Sequence, residues 1–273
     1  MDETANRAER RRWNDDGWIA IWLRRERFTE PVTPYLLDAV AFAPGENVLD
    51  IGCGTGRTTI EAGRRVGPLG HAAGADISDR LLELAEDRAR DTNAGNVAFR
   101  LGDMQHESVP GAPFDVAFSQ FGVMFFDEPV TAFANIARHL RPGGRLVFAC
   151  WQDAARNPWN VGVALSQFVV PPPEPAAGKS PTGPFALADP DRTEAILRAA
   201  GLTAVERTAF DITVDQPEEA VTDDEQLTAM GIAPADRAAA RRVLDEHMAP
   251  FRLPSGGSRF PLAFQIFAAR APA

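Results

Sequence analysis

The residues best suited to chemistry are glycines at alternate positions behind a short apolar run, VLDIGCGTG at residues 48–56. Glycine lets the backbone approach a ligand closely, and a helix behind the turn would point free N–H groups at that ligand. A dinucleotide fingerprint starting at Gly52 would need glycine at position 57, where the chain has Arg57. Asp50 precedes the turn and can face an ammonium group. The spacing therefore favours a cationic amino-acid ligand.

Two further acids follow the next apolar runs. Asp76 lies close to the roughly 20-residue offset from Gly52 at which an acid meets a ribose hydroxyl. Its alternative role is to cap a helix beginning near Ser78. Asp103 can accept a hydrogen bond from an exocyclic amine, and Met104 beside it can cover an aromatic ring such as adenine. Acids at the carboxyl ends of successive strands would ring one crevice, and ammonium, ribose and adenine together describe S-adenosylmethionine.

The elements that must position these residues alternate between strand and helix. The patterns predict an N-terminal helical segment at 6–40, separated into two pieces by Pro31 and Pro34. They then predict strands at 47–51, 70–76, 97–101, 115–119 and 145–151, helices at 57–66, 78–89 and 130–140, and a turn at 141–144. This alternation is typical of a parallel, doubly wound α/β sheet with right-handed crossovers.

The composition changes after residue 151. Prolines between 171 and 190 exclude a long helix or a central strand and predict a surface excursion or lid at 152–190. A helix at 192–200 and strands at 204–214 and 260–270 would return to the sheet, with a mostly helical insertion at 216–250. We expect three regions: an N-terminal helical lid at 1–44, a cofactor-binding core at 45–151, and lid insertions with the completion of the sheet at 152–273.

Five blocks in order resemble the class I S-adenosylmethionine-dependent methyltransferases, especially the small-molecule branch similar to the ubiquinone and menaquinone methyltransferases. The blocks are VLDIGCGTG, GADIS at 74–78, GDMQ at 102–105, FDVAFSQFGVMFF at 114–126 and LRPGGRLVFACW at 140–151. The resemblance covers residues 45–151. It implies a Rossmann-like seven-stranded sheet with an antiparallel last pair, which agrees with the two late strands.

The resemblance also implies a set of cofactor-lining residues: Asp50, Gly52, Gly54, Asp76, Ile77, Asp103, Met104 and Ser119, to which we add Cys53 inside the turn. N-terminal aromatics of this family often close over the methionyl end of the cofactor, and a Trp face attracts a sulfonium by about 0.5–2 kcal/mol. We therefore predict Trp13 and Trp18 at the cofactor, with core packing as the alternative. Phe121, Met124 and Trp151 are expected to form an apolar wall for the acceptor, with burial under the lid as the alternative for Trp151.

A base is required if the acceptor is a carbon acid or a phenol. His106, directly behind the predicted adenine loop, is the best-placed candidate, and an exposed loop histidine is the alternative. Tyr35, the sole tyrosine, could orient an acceptor or belong to a helix core. Four scattered histidines and two distant cysteines show no metal-ligand spacing, so no metal is predicted.

Composition restricts the partners. A net charge of −10 and a pI near 5.0 disfavour nucleic acid, whose binding depends on Lys and Arg neutralising phosphates. No apolar run reaches the roughly 18 residues of a membrane span, and the N-terminus lacks the apolar stretch of a signal peptide. We expect a cytoplasmic protein without a membrane partner, in a reducing compartment that suits two isolated cysteines. A homodimer is left open.

The sequence thus predicts an enzyme that transfers a methyl group from S-adenosylmethionine to a carbon or oxygen of a small, largely apolar, ring-containing metabolite, as in secondary metabolism. The alternative is a protein of the same fold that binds S-adenosylmethionine and performs non-methylating chemistry such as cyclisation. A nicotinamide oxidoreductase is disfavoured by Arg57.

Overall fold

The computed structural model describes residues 6–169, 179–216, 227–228 and 230–273. The helices are α1 (Arg7–Arg12), α2 (Asp16–Thr29), α3 (Thr33–Val40), α4 (Arg57–Val66), α5 (Asp79–Asp91), α6 (Pro129–His139), α7 (Pro190–Ala199) and α8 (Arg237–Met248). The strands are β1 (Asn47–Ile51), β2 (His71–Asp76), β3 (Val97–Leu101), β4 (Phe114–Gln120), β5 (Leu140–Trp151), β6 (Thr203–Gln216) and β7 (Ser258–Arg270).

The seven strands form one sheet in the order β3-β2-β1-β4-β5-β7-β6. Neighbours from β3 to β5 pair in parallel, whereas β7 is antiparallel to both β5 and β6. This order confirms the predicted Rossmann-like sheet with its antiparallel last pair. The direction of winding reverses between β1 and β4, which is where open α/β sheets bind ligands.

Burial explains why these runs become central strands. In β1, Val48, Leu49 and Ile51 are all buried, and β4 and β5 contribute the fully buried Phe118 and Phe148. A strand covered on both faces needs a continuous apolar run rather than alternation, and such runs are typical of parallel sheets. The core therefore fixes the strand ends from which the polar residues project.

Two boundaries differ from the sequence expectation. Strand β5 begins at Leu140 rather than at residue 145, because the register shift between Phe114 and Val116 lets the strand include the predicted turn at 141–144. The N-terminal helix breaks a second time, before α2, where the Asp15 side chain accepts a hydrogen bond from the Trp18 N–H at 2.9 Å. That contact is an N-cap, whose signal lies in the sequence.

The predicted excursions lie only partly in the described chain. Residues 152–169 and 179–189 contain the short turns Ala154–Arg156 and Ser166–Phe168 and neither a long helix nor a strand. The proline-rich stretch at 170–178 and the start of the second insertion, residues 217–226, lie outside the described residues. Throughout the part of the chain that is described, no helix is long and apolar enough to cross a membrane.

Candidate active site

A cleft opens at the carboxyl ends of β1, β2 and β4, at the point where the strand order reverses. It encloses about 660 Å³ of empty space, its open mouth included. Its lining comes from the carboxyl ends of four strands and the loops after them, from helix α5 and from the N-terminal segment: Asn6, Glu9, Trp13, Trp22, Ile51, Gly52, Gly54, Ala75, Asp76, Ile77, Leu81, Gly102, Asp103, Met104, Gln120, Phe121, Gly122, Phe125 and Phe126.

The glycine turn lies so close to the loop after β4 that neither backbone has room for a side chain where the two meet. Gly52 has φ +65°, and a Cβ built there would lie 2.8 Å from the Gly122 Cα. A Cβ on Gly122 would in turn lie 2.6 Å from the carbonyl oxygen of Ile51. Ser119 holds the two loops together, because its hydroxyl donates to the Ile51 oxygen at 2.6 Å and accepts from the Gly122 N–H at 3.1 Å. Glycine is therefore needed at both positions.

Asp76 presents a buried carboxylate to the cleft. One oxygen accepts from the Gly54 N–H at 2.8 Å and the other from the Ser78 N–H at 2.9 Å. Burial raises the pKa of Asp76 above its usual value, against the lowering effect of these N–H donors. Helix α5 is capped by Ser78, whose hydroxyl accepts from the Leu81 N–H at 3.1 Å. The Asp76 carboxylate is thus placed to accept from a ligand hydroxyl.

The loop after β3 supplies the second acid. Asp103 lines the cleft, and one of its oxygens accepts from the Gln105 N–H at 2.9 Å. Met104 is buried beside it, and its carbonyl accepts from the amide of Asn135 at 2.9 Å. The pair places a carboxylate and a thioether side by side in the cleft wall, which suits the edge and face of a purine.

Asp50 lies behind the turn rather than in the cleft lining. One oxygen accepts from the hydroxyls of Thr58 and Thr59, at 2.6 and 2.7 Å. The other is buried without a hydrogen-bond partner among the described residues. Desolvation, partly offset by the threonine hydroxyls, raises the pKa of Asp50 to about 7. Its direct contact with a ligand ammonium stays a prediction.

Two other predicted cofactor residues also lie outside the lining. Ser119 positions Gly122 and Ile51, as described above. Cys53 is buried in a separate apolar cluster with Ile60 and Phe99, and burial raises the pKa of its thiol well above the usual value. Since successive residues of the turn point in different directions, the motif alone does not tell which of them face the ligand.

Three polar residues of the lining were not predicted from the sequence. Gln120 donates to the Thr29 carbonyl at 3.2 Å and leaves its buried Oε1 without a partner in the described structure. Asn6 Oδ1 is also buried without a hydrogen-bond partner in the described structure, and Glu9 is almost fully buried. Gln120 ends β4, so its position could have indicated it. Asn6 and Glu9 come from the N-terminus, and no local pattern places them here.

Unpartnered buried acceptors test whether the cleft fits the cofactor that the motifs imply. The free oxygens of Gln120 and Asn6 suit an ammonium donor, and Asp76 suits ribose hydroxyls. A buried polar atom without a partner costs about 1–3 kcal/mol, so a ligand that donates to it gains that amount. The residues present therefore fit S-adenosylmethionine.

A second cavity adjoins the first and is lined mostly by aromatic side chains. It encloses about 740 Å³, its mouth included, and all five tryptophans of the chain line it. The lining consists of Arg12, Trp13, Trp18, Trp22, Phe28, Thr29, Phe121, Met124, Phe125, Trp151, Trp159 and Pro184. We call it the aromatic cavity. Trp13, Trp22, Phe121 and Phe125 line both spaces, so the two share a wall.

The predicted acceptor residues Phe121, Met124 and Trp151 all line the aromatic cavity. Phe121 adopts a left-handed backbone, φ +65°, which is costly for a bulky residue and persists only where the surroundings impose it. The Trp13 ring packs edge-on against Trp22 and Phe125, with centroids 5.3 and 5.2 Å apart. Trp13 thus reaches both spaces, whereas Trp18 lines the aromatic cavity alone.

Hydrogen bonds and an ion pair attach helix α2 to the core near both of its ends. Near its start, the Ser78 hydroxyl donates to the Trp13 carbonyl at 2.5 Å. Near its end, Arg88 of α5 forms a bidentate pair with Glu26, at 3.0 and 3.1 Å, and also donates to the carbonyl of Thr55 in the glycine turn at 2.9 Å. These contacts hold Trp22 of α2 at the wall that the cleft shares with the aromatic cavity, and Trp18 at the aromatic cavity alone.

The predicted catalytic side chains lie elsewhere. His106 is exposed, its ring lies 3.0 Å from the Gln105 amide, and it lines neither space. Tyr35 is exposed on α3 and packs against Phe210 and Phe264 of the sheet. The described residues include no group of three His, Cys, Asp or Glu side chains able to hold a metal ion. The metal-free mechanism stays a prediction.

Known proteins with similar sequences agree with this geometry. Residues 48–144 match the family described as a methyltransferase domain. Nocamycin O-methyltransferase of Saccharothrix syringae is 31% identical over 201 residues, which cover 70% of this chain and 71% of that protein. The chain belongs to the S-adenosylmethionine-dependent methyltransferases. S-adenosylmethionine is its cofactor.

The methyltransferase is also similar to aklanonic acid methyltransferase of Streptomyces sp. strain C5, with 33% identity over 121 residues. That match covers 44% of this chain and 55% of the relative, so the chain spans little more than half of that relative's length. The solved 4+2 cyclase SpnF shares the fold at a TM-score of 0.56 and 22% identity, covering 89% of the methyltransferase and 81% of the cyclase.

Proposed function

We propose that the methyltransferase methylates a carbon or oxygen of a small, largely apolar, ring-containing metabolite bound in the aromatic cavity. The observation that carries the proposal is the shared wall: Trp13, Trp22, Phe121 and Phe125 border both the cofactor cleft and the cavity. A molecule bound in the cleft and a molecule bound in the cavity would meet at these shared side chains. Apolar lining with few polar groups is typical of small-molecule sites.

In the cofactor cleft, each end of the ligand has a proposed partner in the chain. Asp76 accepts from the ribose hydroxyls, Asp103 from the adenine amine, and Met104 covers the ring. Gln120 and Asn6 accept from the ammonium end. When bound, S-adenosylmethionine supplies an electrophilic methyl group on a positively charged sulfur.

The aromatic residues have two tasks in this proposal. Trp13 and Trp22 face the shared wall, where indole faces attract a cation by about 0.5–2 kcal/mol. The surrounding rings exclude water and orient the acceptor for in-line attack, and such positioning is worth about 7–11 kcal/mol. The protein therefore needs few reactive side chains beyond those that bind and align.

Two relatives support the class of acceptor. Their names identify them as methylating nocamycin and aklanonic acid, and we assign the acceptor here to secondary metabolites of comparable size. An acidic chain with a net charge of −10 supports a small molecule rather than a nucleic acid. The proposal includes a cytoplasmic location; a homodimer would be tested by light scattering.

Cyclisation without methyl transfer is the second candidate function. The solved cyclase SpnF has the same fold, and none of the described residues that line the aromatic cavity is a general base, which proton abstraction from an acceptor would require. Under this alternative, S-adenosylmethionine stays intact while the product forms.

One experiment separates the two functions. Purified protein is incubated with methyl-labelled S-adenosylmethionine and a panel of polycyclic and phenolic metabolites, and label in the product is compared with S-adenosylhomocysteine released. Methylation predicts equal amounts of both. Cyclised product with no S-adenosylhomocysteine would establish the alternative, and efficient labelling of protein or nucleic acid would refute the small-molecule assignment.

A further inference from the structure

Among the described residues that line the aromatic cavity there is one charged side chain and no general base. Of the described residues that line it, Arg12 alone is ionisable, and the sole hydroxyl belongs to Thr29. That hydroxyl already donates to the Glu26 carbonyl at 3.0 Å. A neutral phenol or acid bound here would have no described side chain to take its proton.

Arg12 is held at the boundary between the two spaces. Its Nη1 donates to both carboxylate oxygens of Glu9, at 2.8 and 3.1 Å, and its guanidinium carbon lies 5.6 Å from the Trp18 ring centroid. Glu9 also accepts from the Thr182 hydroxyl at 2.9 Å. The Glu9 side chain is only 5% exposed, whereas that of Arg12 is 43% exposed. The Glu9 carboxylate is therefore fixed, and it positions the Arg12 guanidinium.

Glu9 uses only part of the guanidinium. A guanidinium has five N–H donors in a planar fork, and Glu9 engages those of Nη1. Within the described chain, Nη2 and Nε have no protein partner. These donors lie at an aromatic wall that would stack a planar ring, and a guanidinium fork matches a carboxylate or another anionic oxygen.

We propose that the acceptor's reacting oxygen is already an anion when it binds, and that Arg12 is the residue that selects it. The chemical class is an aromatic or polycyclic carboxylate, or an enol or phenol acidic enough to ionise at neutral pH. The oxygen forms a bond to the methyl carbon while the carbon–sulfur bond breaks, and that bonding pair stays on sulfur. No proton has to move, which agrees with the lack of a base among the described residues that line the cavity.

This inference rests on the proposed function, because it requires the acceptor to bind in the aromatic cavity. It makes the reaction an O-methylation. It also assigns Glu9 an opposing effect: its carboxylate positions Arg12 but competes with the acceptor for the guanidinium. Charge on Glu9 should therefore weaken the binding of an anion, and charge on Arg12 should strengthen it.

The test uses two probes of equal shape, 2-naphthoate and its neutral isostere 2-naphthamide. Because all five tryptophans line the cavity, quenching of intrinsic fluorescence reports binding without turnover. With S-adenosylhomocysteine present, the wild-type protein should bind the anion at least about tenfold more tightly than the amide, as expected for a charged hydrogen bond. Arg12→Gln should remove that preference and leave binding of the amide little changed.

Further variants separate charge from structure. Glu9→Gln should increase the preference for naphthoate, whereas the double variant Glu9→Gln/Arg12→Gln should lose it without leaving an unpaired buried acid. Arg12→Lys should keep part of it, and Arg198→Gln, on the exposed face of α7, should leave it unchanged.

Equal binding of both probes by the wild type, or a preference that survives in the double variant, would overturn the role of Arg12 while leaving the acceptor cavity in place. If neither probe quenched the fluorescence, the proposed acceptor site itself would fail. 2-Naphthol, which is neutral at pH 7, tests whether the site also binds ionised phenols. If it does, the binding of 2-naphthol should strengthen above pH 9. If the site is specific for carboxylates, the binding of 2-naphthol should not change with pH.

Discussion

The rings of Phe121 and Trp151 stack with centroids 4.1 Å apart and planes 9° from parallel. Phe121 follows β4 and Trp151 ends β5, so two neighbouring parallel strands place this stack at the carboxyl edge of the sheet. Phe121 borders both spaces and Trp151 only the aromatic cavity. The stack therefore connects the cleft to the aromatic cavity.

Shortening Trp151 should affect the acceptor and not the cofactor. We expect Trp151→Leu to raise the acceptor KM at least about tenfold, since losing a buried aromatic contact costs on the order of 1–3 kcal/mol. Calorimetry should find the Kd for S-adenosylmethionine within about threefold of wild type, a range of less than 1 kcal/mol.

The matched control is Phe210→Leu, which alters another stacked pair, with Phe264, away from both spaces. It should lower stability without changing the acceptor KM. A Trp151 variant with parallel losses in acceptor and cofactor binding would show that the stack supports the fold as a whole.

Removing the Asp76 carboxylate should weaken cofactor binding. Asp76→Ala eliminates the acceptor that we propose for a ribose hydroxyl, together with the acceptors for the N–H groups of Gly54 and Ser78. Charged hydrogen bonds contribute about 1.5–3 kcal/mol each, so the Kd for S-adenosylmethionine should rise at least about tenfold. Calorimetry measures it, with Asp79→Ala, an exposed acid in the first turn of α5, as the control. An unchanged Kd would remove Asp76 from the binding site.

Asp50 should make the unliganded protein less stable as pH rises. Its folded pKa of about 7 exceeds the ordinary 3.8, so between these values the folded state holds a proton that the unfolded state has lost. The free energy of unfolding therefore falls between about pH 4 and about pH 7 and is constant above that range. The total loss is at most on the order of 4 kcal/mol.

Asp50→Asn keeps an oxygen to accept from Thr58 and Thr59 but cannot ionise. Its melting temperature relative to wild type should be higher at pH 8 than at pH 5, as measured by calorimetry without ligand. Asp79→Asn, at an exposed position, should show no such pH trend. A variant whose difference from wild type is the same at both pH values would contradict the shifted pKa.

The ion pair between Glu26 and Arg88 should control the rate at which the cofactor dissociates. Arg88→Gln leaves the largely buried Glu26 without its bidentate partner and removes the Arg88 donor from the carbonyl of Thr55 in the glycine turn. We expect dissociation of S-adenosylmethionine to accelerate by about three- to tenfold, in keeping with about 1 kcal/mol for a partly screened pair. Stopped-flow tryptophan fluorescence gives the rate.

Arg80→Gln provides the comparison, because Arg80 also joins α5 to α2, through an exposed pair with Asp16 at 3.2 Å. Exposed pairs contribute little, so this variant should dissociate at the wild-type rate. Equal acceleration in both variants would mean that the net charge, and not the ion pair between Glu26 and Arg88, determines the dissociation rate.

The sequence by itself determined the sheet and the edge at which the site lies. Continuous apolar runs such as that of β1 identify strands buried on both faces, and the residue that follows a parallel strand must emerge at its carboxyl end. Gly52 and Asp76 lie at the ends of the buried strands β1 and β2, Asp103 lies just beyond the edge strand β3, and all three line the cleft. Their positions depend on neighbours a few residues away, which a sequence displays directly.

The tertiary structure decided which side chains face the ligand and what covers them. Cys53 and Ser119 turn inward because the turn and the loop after β4 pack backbone against backbone, a contact between residues far apart in the chain. Glu9 and Arg12 are held at the site by contacts with distant residues: the Ser78 hydroxyl donates to the carbonyl of Trp13, and the Thr182 hydroxyl donates to Glu9. Such placements depend on nonlocal contacts whose energy is realised only once the sheet has formed, so no local pattern encodes them.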